Sequence, residues 1–101
     1  MAYFCFHAFD KPGVLDTRLA LRDTHRAFLR NHDHPLTVHV GGPLLNADGQ
    51  MHGSMLVIEA ETKAVVEAFL AQDEYMKAGI FASYTLEQFN WGLGQPEARN
   101  G

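Results

Sequence analysis

The sequence predicts one α+β domain with the element order βαββαβ. Three observations carry this. Four short runs rich in aromatic and β-branched residues have strand length. Two longer stretches without Gly or Pro separate the first run from the second and the third from the fourth, as crossover helices do. The two middle runs are joined by Asn46-Ala47-Asp48-Gly49, which reads as a hairpin turn. The 101 residues suit a single domain.

Tyr3 to Phe9 is the first strand, stopped by Asp10-Lys11-Pro12-Gly13. Val14 to Asn31 is the first helix. Leu36, Val38 and Val40 alternate with Thr37, His39 and Gly41 in a second strand that Pro43 ends. Ser54 to Ala60 is the third strand. Thr62 is placed to cap a second helix to about Ala71, with Val65, Ala68, Phe69 and Gln72 on one side. Asp73 caps a further short turn that Gly79 stops. Phe81 to Phe89 is the fourth strand. Residues 91–101 read as a tail beyond a domain spanning residues 1–90, with Trp91 packing its start onto the body. Two crossover helices around a central hairpin is the split βαβ, ferredoxin-like pattern, with a four-stranded antiparallel sheet and both helices on one face. In the first strand Tyr3, Cys5 and Phe9 point one way and Phe4, Phe6 and Ala8 the other, so both sheet faces are apolar. Helices cover one face, and the other calls for a second copy of the chain.

Composition bounds the function. The formal net charge is −4, which disfavours a nucleic-acid or anionic-membrane partner. Cys5 is the only cysteine, so no internal disulfide or CxxC site is available. The opening residues MAYFCFHAF carry no basic leader, and no apolar run approaches the ~20 residues of a membrane helix. The expected location is cytoplasmic. No motif for a cofactor is present. His32-Asp33-His34, with His39 nearby, has no recognised metal-ligand spacing and reads as a solvated turn; no metal is expected. His7 and His39 lie on strands, His52 near the hairpin, and Cys5 in an apolar strand as an inert thiol.

The first helix holds the anomaly. Val14, Leu21, Phe28 and Leu29 form an apolar stripe, and Arg18, Arg22 and His25 fall inside it. An arginine on an apolar face costs desolvation unless it is paired or reaches water. Two readings follow. The arginines pair with Asp16, Asp23 or sheet glutamates, and His25 is a satisfied semi-buried histidine. Alternatively, helix and sheet enclose a pocket for a carboxylate, phenolate or enolate, in which arginine supplies paired donors and histidine moves a proton.

Arg18-Leu19-Ala20-Leu21-Arg22-Asp23-Thr24-His25 resembles the R-L-x-x-R-x-x-H signature of YciI-like (YCII-related) proteins. Val40-Gly41-Gly42-Pro43, Gly53-Ser54, and Asp73-Glu74-Tyr75 followed by Ala78-Gly79-Ile80-Phe81 resemble that family's later landmarks, in order. Glu74 stands where the family usually has proline. The resemblance implies a dimeric α+β barrel, dimerising through its sheet, and a site built on a histidine and an aspartate, here His25 and Asp73. It also reaches a branch resembling a dehydrochlorinase of chlorinated hydroxyhydroquinones, whose substrate these motifs do not carry. A His–Asp pair suits proton transfer in a lyase or isomerase, with Arg18 or Arg22 holding an oxyanion and Ser54 adding a donor. The expected ligand is a small anionic molecule. A noncatalytic anion-binding or accessory dimer and a cofactor-free monooxygenase-like dimer are the alternatives. For Asp73 alone, a plain helix cap is the competing role.

Overall fold

A computed structural model describes residues 1–96; the end of the tail, residues 97–101, lies outside the described residues. The elements are β1 (Ala2–Asp10), α1 (Leu15–Arg30), β2 (Thr37–Leu45), β3 (Met51–Ala60), α2 (Lys63–Leu70), α3 (Glu74–Lys77) and β4 (Phe81–Phe89). The sheet order is β2-β3-β1-β4 with every neighbouring pair antiparallel. This is the ferredoxin-like arrangement expected from the element order.

The core lies between the sheet and the helices. Phe4, Phe6 and Ala8 of β1 and Leu56, Ile58 and Ala60 of β3 supply its floor. Val66, Phe69 and Leu70 of α2 close it from above. Of the residues the sequence puts on one side of α2, Phe69 is buried and Val65 half-buried, while Ala68 and Gln72 are exposed. Thr62 does cap α2, its Oγ1 accepting from the Val65 N–H at 3.3 Å. Trp91 packs edge-on against Tyr3 and Phe89, at centroid distances of 5.8 and 5.1 Å.

The pairing register shifts at Phe9/Asp10, Val38/Val40 and Leu44/Leu45. The β2–β3 register shifts between Val38 and Val40, so one extra residue is accommodated there. Val38 stays opposite Ile58 on the helix side, while Val40 lies opposite Val57 on the open side. The alternation read from the sequence breaks at this bulge. Pro43 does not end β2: the strand runs to Leu45, with Pro43 opposite Ser54. β2 is an edge strand, where a residue without an N–H is tolerated. β3 likewise starts earlier than Ser54, at Met51. Gly53 lies inside it and is buried, and a Cβ there would run into the Ala8 carbonyl oxygen. The close approach of β1 and β3 thus requires glycine.

One buried polar contact fixes α1 on the sheet. Asp10, the last residue of β1, receives Arg18 Nε on Oδ2 at 2.7 Å and Arg18 Nη2 on Oδ1 at 2.8 Å. Arg18 Nη2 also donates to Ser54 Oγ of β3 at 2.9 Å. Arg18 is only 2% exposed. The expected partners Asp16 and Asp23 are exposed instead, and no sheet glutamate takes Arg18. Removing one partner of a buried pair strands the other charge. Asp10→Ala is accordingly expected to lower unfolding free energy by about 3–5 kcal/mol in chemical denaturation. A loss under about 1 kcal/mol, the level of an exposed pair, would show that the contact does not hold α1 down.

Candidate active site

Helix α1 lies along the sheet, and its buried row carries Arg18 and His25 seven residues, or about two turns, apart. Asp73 stands just before α3, at its N-cap position. Its carboxylate does not cap that helix; it points to α1 instead. His25 Nδ1 and Asp73 Oδ1 are 2.7 Å apart, and both residues are buried, at 8% and 3% exposure. The carboxylate is an acceptor, so it selects the imidazole tautomer with hydrogen on Nδ1. The other nitrogen, Nε2, has no protein partner among the described residues and is not sealed from solvent.

Tyr75 of α3 is the third member of this group. Its ring stacks on the His25 imidazole at 3.8 Å between centroids and 17° between planes. The Arg18 guanidinium carbon lies 4.6 Å from the same ring centroid, within cation–π range. The Tyr75 hydroxyl donates to the Arg18 carbonyl oxygen at 3.3 Å. Burial raises the Tyr75 phenol above its ordinary range, against the opposing charges of Arg18 and Arg22. Tyr75 therefore remains a neutral donor at working pH and acts as a plate against which the imidazole lies flat.

These groups border a hollow of about 190 Å³ between α1 and the β2–β3 ribbon. Arg18, Arg22, His25, Ser54 and Tyr75 all line it, with Gly41 to Pro43 on the opposite wall. The five residues singled out from sequence fall into two groups. His25, Asp73, Arg22 and Ser54 lie at or directly behind the hollow. Arg18 reaches it too, but its donors are engaged by Asp10 and Ser54, so it shapes the wall. Ser54 Oγ accepts from Arg18 and keeps its own hydrogen to donate. Arg22 makes no ion pair among the described residues. An anion entering the hollow meets uncompensated charge at Arg22.

Sequence reasoning missed Asp10 and the role of Tyr75. Asp10 was counted with the turn after β1, although alternation from Phe6 and Ala8 puts it on the helix side. Tyr75 belongs to a recognised segment, but nothing local to it indicates stacking on a residue of another helix. The remaining histidines lie elsewhere. His39 Nε2 is 2.8 Å from Glu59 Oε1 on the open sheet face. His34 is half-buried between Phe28 and Phe69 rather than fully solvated. No group of three or more His, Cys, Asp or Glu side chains comes together among the described residues. No helix among them is long and apolar enough to cross a membrane.

Comparison with known proteins agrees with this fold. A structure of 5-chloro-2-hydroxyhydroquinone dehydrochlorinase (TftG) from Burkholderia phenoliruptrix, in complex with 2,5-dihydroxybenzoquinone, is 35% identical. The match covers 89% of this chain and 95% of that one, with a TM-score of 0.80. An uncharacterized protein of Haemophilus influenzae is 28% identical over 93 residues, covering 86% of this chain and 95% of its own. SnoaB, a cofactor-independent oxygenase from Streptomyces nogalater, is 13% identical over 95% of this chain and 97% of its own, with a TM-score of 0.55. That last likeness concerns the fold alone. The model of the YCII-related domain matches residues 1–90. With the family match running from β1 through β4, the chain belongs to the YCII-related domain family.

Proposed function

We propose that this protein is a small lyase- or isomerase-type enzyme that moves a proton on an anionic, hydroxyquinone-like substrate. The observation that carries the reading is the 2.7 Å contact of His25 Nδ1 with Asp73 beside a hollow that also holds Arg22. The dehydrochlorinase whose structure holds 2,5-dihydroxybenzoquinone supports the ring chemistry at 35% identity.

The steps follow from the geometry. Neutral His25 accepts a substrate proton on Nε2, and Asp73 stabilises the imidazolium that forms. The electron pair left behind spreads toward a ring oxygen, where Arg22 and the Ser54 hydroxyl meet the developing charge. In an elimination that pair expels an anionic leaving group, and the net loss is one proton and that anion. In an isomerisation His25 returns the proton to a second substrate atom. Neither route requires a covalent intermediate or an external oxidant.

A homodimer belongs to the same proposal. Tyr3, Cys5 and His7 are half-buried on the face away from the helices, and Phe9, Val40 and Phe89 are exposed there or at its margin. Among the described residues no helix or strand covers that face. A second copy laid on it would bury the patch in both chains.

Two measurements test these readings. Turnover of a chlorinated hydroxyhydroquinone is expected to fall about 10²–10⁴-fold in His25→Ala, with the circular dichroism spectrum unchanged. Asp73→Asn should lose about 10–100-fold. A folded His25→Ala protein with full turnover would remove His25 from the mechanism, and binding without turnover in the wild type would leave a noncatalytic anion binder. For assembly, wild-type protein should sediment as a dimer at micromolar concentration, and Met55→Lys, a change opposite His7 on that face, as a monomer. A monomeric wild type would overturn the dimer.

A further inference from the structure

The hollow at His25 adjoins another. A neighbouring hollow of about 270 Å³ shares Arg26, Leu29, Arg30 and Gly41 with it, then runs over Leu36 toward His32. The inner hollow is smaller than the ~300–1,000 Å³ of sites for drug-sized ligands and suits a single ring. Together the two reach that range.

The arginines follow the same path. Arg18, Arg22, Arg26 and Arg30 stand at four-residue intervals on α1, so their side chains lie one beyond another along the helix. Like charges at this spacing repel, which disfavours the row unless something answers it. Asp10 answers Arg18. Arg22, Arg26 and Arg30 make no ion pair among the described residues, although the chain has 12 acidic side chains against 8 Lys and Arg. Arg26 and Arg30 are exposed, and they line both hollows. Gly41 of β2 borders both hollows. A Cβ there would come within 2.8 Å of Leu56 Cδ2 on β3 and at ordinary contact, 3.9 Å, with Leu29 Cδ1 on α1.

We infer that the outer hollow is a subsite for an acidic substituent of the substrate, a carboxylate or phosphate on a short arm, held by Arg26 and Arg30. The inference rests on the reading of the inner hollow as the ring site and names what the ring carries. Arg30 lies five residues past His25, about 7.5 Å along the helix, so an arm of a few bonds joins the two positions. The outer hollow offers both what such an arm needs and what its end needs. Leu29, Leu36 and Val38 give apolar wall to the arm, and the guanidiniums give paired donors to the acid.

The test uses dihydroxybenzoquinone bearing a propyl arm that ends in a carboxylate, a phosphonate or a neutral carboxamide, together with the unsubstituted ring. Calorimetry gives each dissociation constant in wild type and in the double variant Arg26→Gln/Arg30→Gln. At least one acid is expected to bind about tenfold more tightly than the amide in wild type, as one charge-assisted hydrogen bond would give. The tighter of the two names the group. In the double variant the acid-to-amide ratio should fall to near one, and taking the ratio within each protein cancels any general loss. Equal binding of acids and amide in wild type, or a ratio that survives the double substitution, overturns the subsite. If the unsubstituted ring fails to bind while the acids bind with dependence on Arg26 and Arg30, the subsite stands and the ring site falls. If none of the four binds, both fall.

Discussion

A guanidinium on the apolar side of a helix must be answered by whatever lies beneath it, and here that answer organises the domain. Arg18 is buried, and its charge is met by Asp10 at the end of β1 and by Ser54 on β3. Apolar packing alone lets a helix slide or rotate on a sheet at modest cost. A bidentate pair with a third donor contact permits one position. The same guanidinium lies against Tyr75, and the Tyr75 hydroxyl returns to the Arg18 backbone. Through that ring the clamp sets where the His25 imidazole rests. An apolar replacement of a buried pair is often as stable, so the retained pair is better understood as fixing geometry than as adding stability.

With Arg18 occupied by Asp10 and His25 by Asp73, the two deepest polar groups of α1 are balanced by the protein itself. Among the described residues, the charge that remains unanswered lies farther out, on Arg22, Arg26 and Arg30. A protein with net charge −4 thus presents a local positive row along one wall of its hollows. Such a field attracts small anions while the overall charge repels polyanions. In the proposed chemistry the inner residues of this helix hold shape and proton, and the outer ones meet the ligand.

Much of this was legible in the chain. Strand and helix order follows from periodicity and from where Gly, Pro and Asn fall. The four-residue step from Arg18 to Arg22 and the seven-residue step to His25 put all three on one helix face, which marks α1 as unusual before any coordinates. Other features depend on contacts between residues far apart in sequence. The extra residue at His39–Val40 breaks an alternation that local pattern reads as regular. Pro43 looks like a terminator until the sheet order makes β2 an edge. The sequence suggested two open readings for the arginines, pairing or a pocket. The structure divides them, with Arg18 paired and Arg22 left at the hollow, and the partner is an aspartate that local turn chemistry had claimed. Tyr75 is informative only once α3 is folded back onto α1.

The proposed chemistry depends on His25 holding its hydrogen on Nδ1, toward Asp73, and leaving Nε2 free to meet a substrate. Nitrogen NMR of the imidazole reads this directly, since the two ring nitrogens differ in shift according to which is protonated. For neutral His25 the expected result is a protonated Nδ1 and an unprotonated Nε2 in the wild type, and a mixture of tautomers in Asp73→Ala. A neutral ring protonated on Nε2, or the same tautomer ratio with and without the Asp73 carboxylate, would contradict it.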